Sequence, residues 1–202
     1  AFTNCSALES IKVNGTVSLI EPYAFSGCSA LSMLDMQYES IVVGRNAFSG
    51  CKHIHSLVDL TKITRFGEFA FADTDITNLT LGENVQFVGK SAFAGCSDID
   101  EVVIPFVGCM PHSTQPELGH FGAIFGTEER DNFNVQRIEN GQDIVTYSIP
   151  SNIRHVTVLS DSMNEGCFDG CNFLSELYLP NIVDFNKACF NGCVSLRYIY
   201  LG

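Results

Sequence analysis

The feature that most constrains this chain is a short phrase that returns at a fixed interval. Ala24-Phe25-Ser26-Gly27-Cys28-Ser29-Ala30-Leu31 recurs as Ala47-Phe48-Ser49-Gly50-Cys51 and as Ala92-Phe93-Ala94-Gly95-Cys96-Ser97. Weaker copies stand at Ala1-Phe2-Thr3-Asn4-Cys5-Ser6, Ala70-Phe71-Ala72-Asp73-Thr74, Cys167-Phe168-Asp169-Gly170-Cys171 and Cys189-Phe190-Asn191-Gly192-Cys193. The seven phenylalanines lie 23, 23, 23, 22, 75 and 22 residues apart. A period in this range is the signature of a solenoid, and it overrides the one or two compact domains that 202 residues would otherwise suggest.

Each cysteine is followed three, six and eight residues later by apolar residues. The sets are Leu8, Ile11, Val13; Leu31, Leu34, Met36; Ile99, Val102, Ile104; Leu174, Leu177, Leu179; and Leu196, Ile199, Leu201. The in–out–in alternation at the end of each set predicts a half-buried strand. The repeat at Ile54 and Leu57 departs, with Asp59 in the last inward slot and Leu60 expected to fill it through a bulge. Five residues before the phenylalanine sits a second apolar anchor: Ile20, Val43, Phe66, Val88, Met163 or Phe185. Each coil is therefore expected to hold a strand, a return segment and a short helical turn bearing the Phe, with Pro22 suited to the start of one such turn. The residue before each cysteine (or before Thr74) is Asn4, Gly27, Gly50, Asp73, Gly95, Gly170 or Gly192. These are the types that tolerate a left-handed backbone, as a helical turn reversing into a strand requires.

A coil of this size cannot bury its own apolar side, so it must stack on its neighbours. Eight coils about 4.8 Å apart imply a rod roughly 40 Å long. Residues 1–202 thus read as one solenoid, with regular repeats over 1–105 and 152–202 and an irregular excursion over 106–151. Within the excursion, Phe121-Gly122-Ala123-Ile124-Phe125-Gly126 is apolar enough to pack on the stack. Ile144-Val145-Thr146-Tyr147-Ser148-Ile149 reads as an added strand closed by Pro150, and Glu128, Glu129, Arg130 and Asp131 as a solvated tip. The chain begins inside a repeat without an initiator Met and stops at Leu201-Gly202 after a strand, as expected of a piece of a longer protein.

The phrase A-F-x-G-C-x-x-L-x-x-I-x-I at 22–23 residues closely resembles the BspA-type leucine-rich repeat. It differs from ribonuclease-inhibitor-like repeats because Cys precedes the strand and no Asn follows it. Excursions of the form P-F-V-G…F-G-x-I-F-G resemble elements of the same family. The resemblance implies a right-handed α/β leucine-rich-repeat solenoid with one parallel sheet and short helical turns. It also implies surface display and adhesion to host or neighbouring-cell proteins.

Composition narrows the function classes. The net charge is −12, with 11 basic and 23 acidic residues. That balance disfavours nucleic acid and anionic lipid as partners. No apolar run is long enough to span a membrane. Nine cysteines invite a disulfide reading. Six of them (Cys5, Cys28, Cys51, Cys96, Cys171 and Cys193) share one repeat position and read as a packed ladder of thiols. The coil spacing lies within disulfide reach, so distance alone leaves bridges open. Cys167 and Cys189 take the Ala slot and, with Cys171 and Cys193, place four thiols in adjacent coils, the number of a structural zinc site. Packing is preferred, because other repeats hold small residues there. Cys109, His112, Glu117 and His120 suit a metal or a Cys–His nucleophile by type, but their spacing matches no defined site. The triplets at Asn4, Asn14 and Asn78 match the glycosylation acceptor without deciding anything. No cofactor is expected.

The outward strand positions form a sheet face. One column runs Lys12, Asp35, Val58, Thr80, Val103, Thr157, Tyr178, Tyr200; its neighbours include Met33, His55, Glu101, Glu176, Arg197 and Tyr198. Tyr178, Tyr198 and Tyr200, with Arg197 and Glu176, are the candidate binding residues, since aromatic residues and Arg anchor protein interfaces. Cross-strand packing is the competing reading. The expected function is a non-catalytic cell-surface or secreted module that binds proteins. An intracellular scaffold is the alternative, and an enzyme centred on Cys109 the least favoured.

Overall fold

A computed structural model describes residues 2–113, 115–140, 143–185 and 188–202; Ala1 of the first repeat lies outside them. Among the described residues there are thirteen strands: β1 Ser10–Thr16, β2 Leu19–Ile20, β3 Met33–Gln37, β4 Ile41–Val43, β5 Ile63–Phe66, β6 Asn78–Thr80, β7 Phe87–Val88, β8 Glu101–Ile104, β9 Phe133–Asn140, β10 Asp143–Pro150, β11 His155–Val158, β12 Glu176–Leu179 and β13 Tyr198–Leu201. All pair in parallel except the antiparallel hairpin β9–β10. The chain is a parallel β-solenoid of about eight turns with little helix.

The expected single sheet is corrected in two ways. The sheet built from the L-x-x-L-x-L strands is split into β1–β3 and a five-stranded part ordered β13-β12-β11-β8-β6. The break falls at the irregular coil, where Ile54–Ser56 and Leu60–Lys62 are 3-10 turns and no strand forms. Val58, expected to point outward, is buried there, and Leu60 is only half-buried. Asp59 explains the break. It caps the second 3-10 turn, accepting from Thr61 N at 3.0 Å, so its carboxylate stays in solvent and the chain cannot run as a strand with that slot inward. The return segments form a second parallel sheet, β2-β4-β5-β7. Its rungs are the anchors: Ile20 pairs with Val43, Val43 with Phe66 and Phe66 with Val88.

The phenylalanine-bearing segments are not helical. Each is a hydrogen-bonded turn, such as Cys28 N to Phe25 O at 3.0 Å and Cys51 N to Phe48 O at 3.1 Å. Two left-handed residues bracket each turn and stop helix propagation. One is the expected position before the cysteine: Asn4, Gly27, Gly50, Asp73, Gly95, Gly170 and Gly192 have φ from +55° to +77°. The other lies two residues before the Phe, at Tyr23, Asn46, Phe69, Ser91, Gly166 and Ala188, with φ from +53° to +64°. Only Asn46 and Gly166 announce that conformation by residue type. Among the described residues, α-helix is limited to one turn, Pro116–Gly119.

Successive phenylalanines lie in a row. Phe2–Phe25, Phe25–Phe48, Phe48–Phe71 and Phe71–Phe93 stack at 5.8, 5.4, 5.3 and 5.9 Å. From Phe121 of the excursion onward, Phe121–Phe168 and Phe168–Phe190 follow at 5.2 and 6.2 Å. Their backbones form a further ladder, each Phe N–H donating to the next coil: Phe25 to Ala47, Phe48 to Ala70, Phe71 to Ala92, Phe93 to Ile124, Phe121 to Cys167 and Phe168 to Cys189, all between 2.8 and 3.0 Å. Inner coils bury most of their inward residues, whereas Val13, Phe185, Ile199 and Leu201 of the outermost coils are exposed.

The excursion is one coil with two inserts. Its return segment receives Val88 N at Cys109 O (2.8 Å), and its turn receives Phe93 N at Ile124 O (2.9 Å). One insert, with the helical turn, lies between those points; the β9–β10 hairpin lies between the turn and β11. The strand expected at 144–149 lies within β10. Its partner β9 was not expected, because it buries Gln136 and exposes Val135, the reverse of the usual pattern. Gln136 accepts from Gly122 N at 2.6 Å and donates to Asp169 O at 2.8 Å and Cys167 O at 3.3 Å. Arg130, expected in a solvated tip, ties the insert to the stack through Asp73 at 2.8 Å and is steadied within the insert by Glu128 at 2.9 Å.

Candidate functional site

The outward face of the five-stranded sheet is set by strand register. One rung runs Asn78, Glu101, His155, Glu176, Tyr198, and the next Thr80, Val103, Thr157, Tyr178, Tyr200. Parallel pairing brings Tyr178 and Tyr200 side by side, with ring centroids 4.5 Å apart at 12°, and Tyr198 lies 6.1 Å from Tyr200. The three rings are 37%, 45% and 55% exposed for Tyr178, Tyr200 and Tyr198, too open for core packing. Glu176 organises the rung. Its Oε2 accepts from the Tyr178 hydroxyl at 2.9 Å and lies 3.4 Å from His155 Nδ1. The hydrogen bond to that carboxylate pushes the Tyr178 phenol up to about 12, so it stays a neutral donor. Arg197 is exposed and precedes β13, its backbone N–H donating to Ser175 O at 2.9 Å. A depression of ≈ 570 Å³ on the same face is lined by Glu101, Arg154, His155, Glu176 and Tyr178 among others. Of the proposed column, Val58 alone turns inward.

The cysteines do something packing alone does not capture. Cys28 Sγ donates to Phe2 O at 3.0 Å, Cys51 Sγ to Phe25 O at 3.2 Å, Cys96 Sγ to Phe71 O at 3.0 Å and Cys193 Sγ to Phe168 O at 3.1 Å. Each thiol thus adds a second donor to a phenylalanine carbonyl of the preceding coil, which already accepts from its own coil. In the variant coil, Thr74 Oγ1 instead bonds Phe71 O of its own coil at 2.8 Å. All nine cysteines are present as thiols, and Cys5 of the first coil is exposed. Burial pushes the thiols of Cys51 and Cys96 up to about 12 and about 11. Cys167 is raised by its hydrogen bond to Cys189 and by burial, and Cys171 by burial. Among the described residues, no group of three or more His, Cys, Asp or Glu side chains could hold a metal ion.

The residues weighed as a nucleophilic or metal cluster are dispersed in role. Cys109 is fully buried, its thiol pushed up to about 12 by burial. His112 contacts Ser162 Oγ at 3.4 Å on the surface. The Glu117 carbonyl accepts from Tyr147 Oη at 3.3 Å. His120 is buried and, among the described residues, has no hydrogen-bond partner at Nδ1; its imidazole lies 6.1 Å from the Tyr147 ring. Burial lowers the pKa of His120, against smaller opposing effects of Asp169 and Glu117. The folded state therefore takes up the proton less readily than the unfolded chain. His120 is expected to support full stability above the unfolded-state pKa of about 6.5 and to cost stability as pH falls below it. Urea unfolding from pH 7.5 to 5 should show that decline, and His120→Leu should flatten it; an unchanged slope in the variant would contradict the assignment.

These features define a leucine-rich-repeat solenoid. Six copies of the BspA type Leucine rich repeat region match residues 1–106 and 136–202, and the chain belongs to that family. No curated protein matches the chain significantly. The chain is similar to a leucine-rich repeat protein from Bacteroides ovatus, at 24% identity over 98% of this chain and 39% of that one, with a TM-score of 0.48. It is also similar to a leucine rich cell surface protein from Faecalibacterium prausnitzii, at 17% identity over 100% of this chain and 75% of that one, with a TM-score of 0.37. The chain thus spans 39% of the length of the Bacteroides protein. Repeats of this family are generally non-catalytic and typically bind proteins. Among the described residues, no helix is long and apolar enough to cross a membrane.

Proposed function

We propose that residues 1–202 act as one right-handed solenoid, a non-catalytic module of a cell-surface or secreted protein that adheres to a protein on a host or neighbouring cell. The observation that carries this reading is the exposed, in-register cluster of Tyr178, Tyr198 and Tyr200 beside Glu176 and Arg197. Tyrosine offers large contact area at small entropic cost, and the stacked pair is ordered before any partner arrives. The right hand is the one that parallel crossovers take in nearly every case.

The test is a binding screen of purified extracellular proteins against the wild type and the Tyr178→Ala/Tyr198→Ala/Tyr200→Ala variant. Affinity for a verified partner is expected to fall by roughly a hundredfold or more, as loss of aromatic anchors does. Unchanged affinity would sink the sheet-face reading. The intracellular scaffold is favoured by one observation, the set of nine thiols. Mass spectrometry of the native protein, reading thiols against disulfides, separates the two compartments.

A further inference from the structure

The coil that keeps the period but forms no strand also opens a site. Between β3 and β6, residues 54–62 hold two 3-10 turns, Ile54–Ser56 and Leu60–Lys62, where other coils place a strand. A depression of ≈ 250 Å³ lies between this coil and β6. Its apolar wall is Ile54, Val58, Leu60 and Ile76, and its polar rim includes His55 and Asp59.

The rim is held in place. Asp75 Oδ1 accepts from Ile54 N at 2.9 Å and His55 N at 3.3 Å, while its Oδ2 lies 2.7 Å from His55 Nδ1. Asp59 N donates to the Tyr38 hydroxyl at 2.8 Å. Asp59 Oδ1 accepts from Thr61 N and Thr61 Oγ1 at 3.0 and 2.6 Å. Among the described residues, Asp59 Oδ2 takes no hydrogen bond. The Asn78 side chain is committed, donating to Glu101 Oε2 and accepting from Thr80 Oγ1, both at 2.5 Å. Among the described residues, no lysine or arginine lines the depression. The nearest basic residue in sequence, Lys62, lies over the Tyr38 ring at 5.7 Å. The site therefore offers an apolar trough ending in one carboxylate with a spare oxygen. Lysine and arginine carry the complement, an aliphatic stem ending in a cation.

We propose that this depression receives a lysine or arginine side chain presented by the partner protein. The assignment rests on the protein-binding reading and adds a second anchor, separate from the tyrosine cluster. Charge complementarity decides the occupant: a cationic side chain gains a charge-assisted hydrogen bond to the Asp59 carboxylate on the rim, and an uncharged apolar one gains none.

The test is an amide NMR titration of the full chain with Nα-acetyl-arginine amide and Nα-acetyl-lysine amide, beside Nα-acetyl-norleucine amide. Saturable shifts are expected at Ile54, Asp59, Thr61 and Thr77 for the cationic probes. They should bind about tenfold more tightly than norleucine amide, the scale of one charge-assisted hydrogen bond. Asp59→Asn retains the Oδ1 acceptor that caps the turn, so the fold should persist while the advantage disappears. Equal binding of norleucine amide, an advantage that survives Asp59→Asn, or no saturable shift at these amides would each overturn the proposal. The tyrosine triple variant keeps this outcome separate. If it loses a verified partner while Asp59→Asn binds normally, the depression is not an anchor and the sheet-face reading stands. If the cationic probes bind as expected but the triple variant retains the partner, the sheet-face reading fails alone.

Discussion

Phe71→Ala is expected to lower the unfolding free energy by about 3–5 kcal/mol, the range for truncating a fully buried aromatic ring. Phe71 is inaccessible to solvent and sits mid-row, 5.3 Å from Phe48 and 5.9 Å from Phe93. Phe66, the anchor of the same coil, meets it from the side at 5.9 Å. The cavity would open on two coil interfaces at once. In a stack stabilised by nearest-neighbour contacts, that loss falls on the coupling between the two halves as well as on one coil. Urea unfolding followed by circular dichroism checks the value. Phe2→Ala supplies the contrast: Phe2 is 46% exposed and, among the described residues, stacks on Phe25 alone, so its loss should be much smaller. Equal effects at the two positions would mean that the row does not couple the coils.

Gln136→Leu is the second large effect, about 2–5 kcal/mol. The substitution keeps approximate volume and removes the polar head. Cys167 O would still accept from Phe121 N at 2.8 Å. Gly122 N–H and Asp169 O would lose the Gln136 amide at a buried junction, and each stranded polar group costs about 1–3 kcal/mol. The damage should be local, with the β9–β10 hairpin released from the turn at 121–124 and from the coil at 167–171. Limited proteolysis should cut the hairpin first in the variant. A variant as stable and as resistant as the wild type would show that the hairpin docks by other contacts.

Much of this architecture is legible in the sequence because a solenoid writes each rule several times. The period places the phenylalanine row. The Gly, Asn and Asp before each cysteine place one left-handed residue, and all seven adopt it. The second left-handed position stays hidden because Tyr23, Phe69 and Ala188 carry no signal for it; neighbouring coils impose the conformation. The second sheet is hidden for a related reason: β2 and β7 are two residues long, below any useful alternation. Val58 misleads because its column is read by spacing alone, and the Asp59 cap removes the strand on which that spacing depends. Gln136 misleads because a buried amide on a strand looks like an exposed one until its three partners are placed. The tyrosine cluster is legible as a column, since strand register carries Tyr178 directly beside Tyr200. The depression beside Asp59 is not, because it arises from a strand that fails to form.

Native-state hydrogen exchange tests the central claim most directly. If the coils form one continuous stack through the excursion, the amides of Phe48, Phe71, Phe93, Phe121 and Phe168, each donating to the next coil, should exchange slowly and with similar protection. Rapid exchange at Phe93 and Phe121, with protection retained on either side, would show two separate stacks joined by a loop.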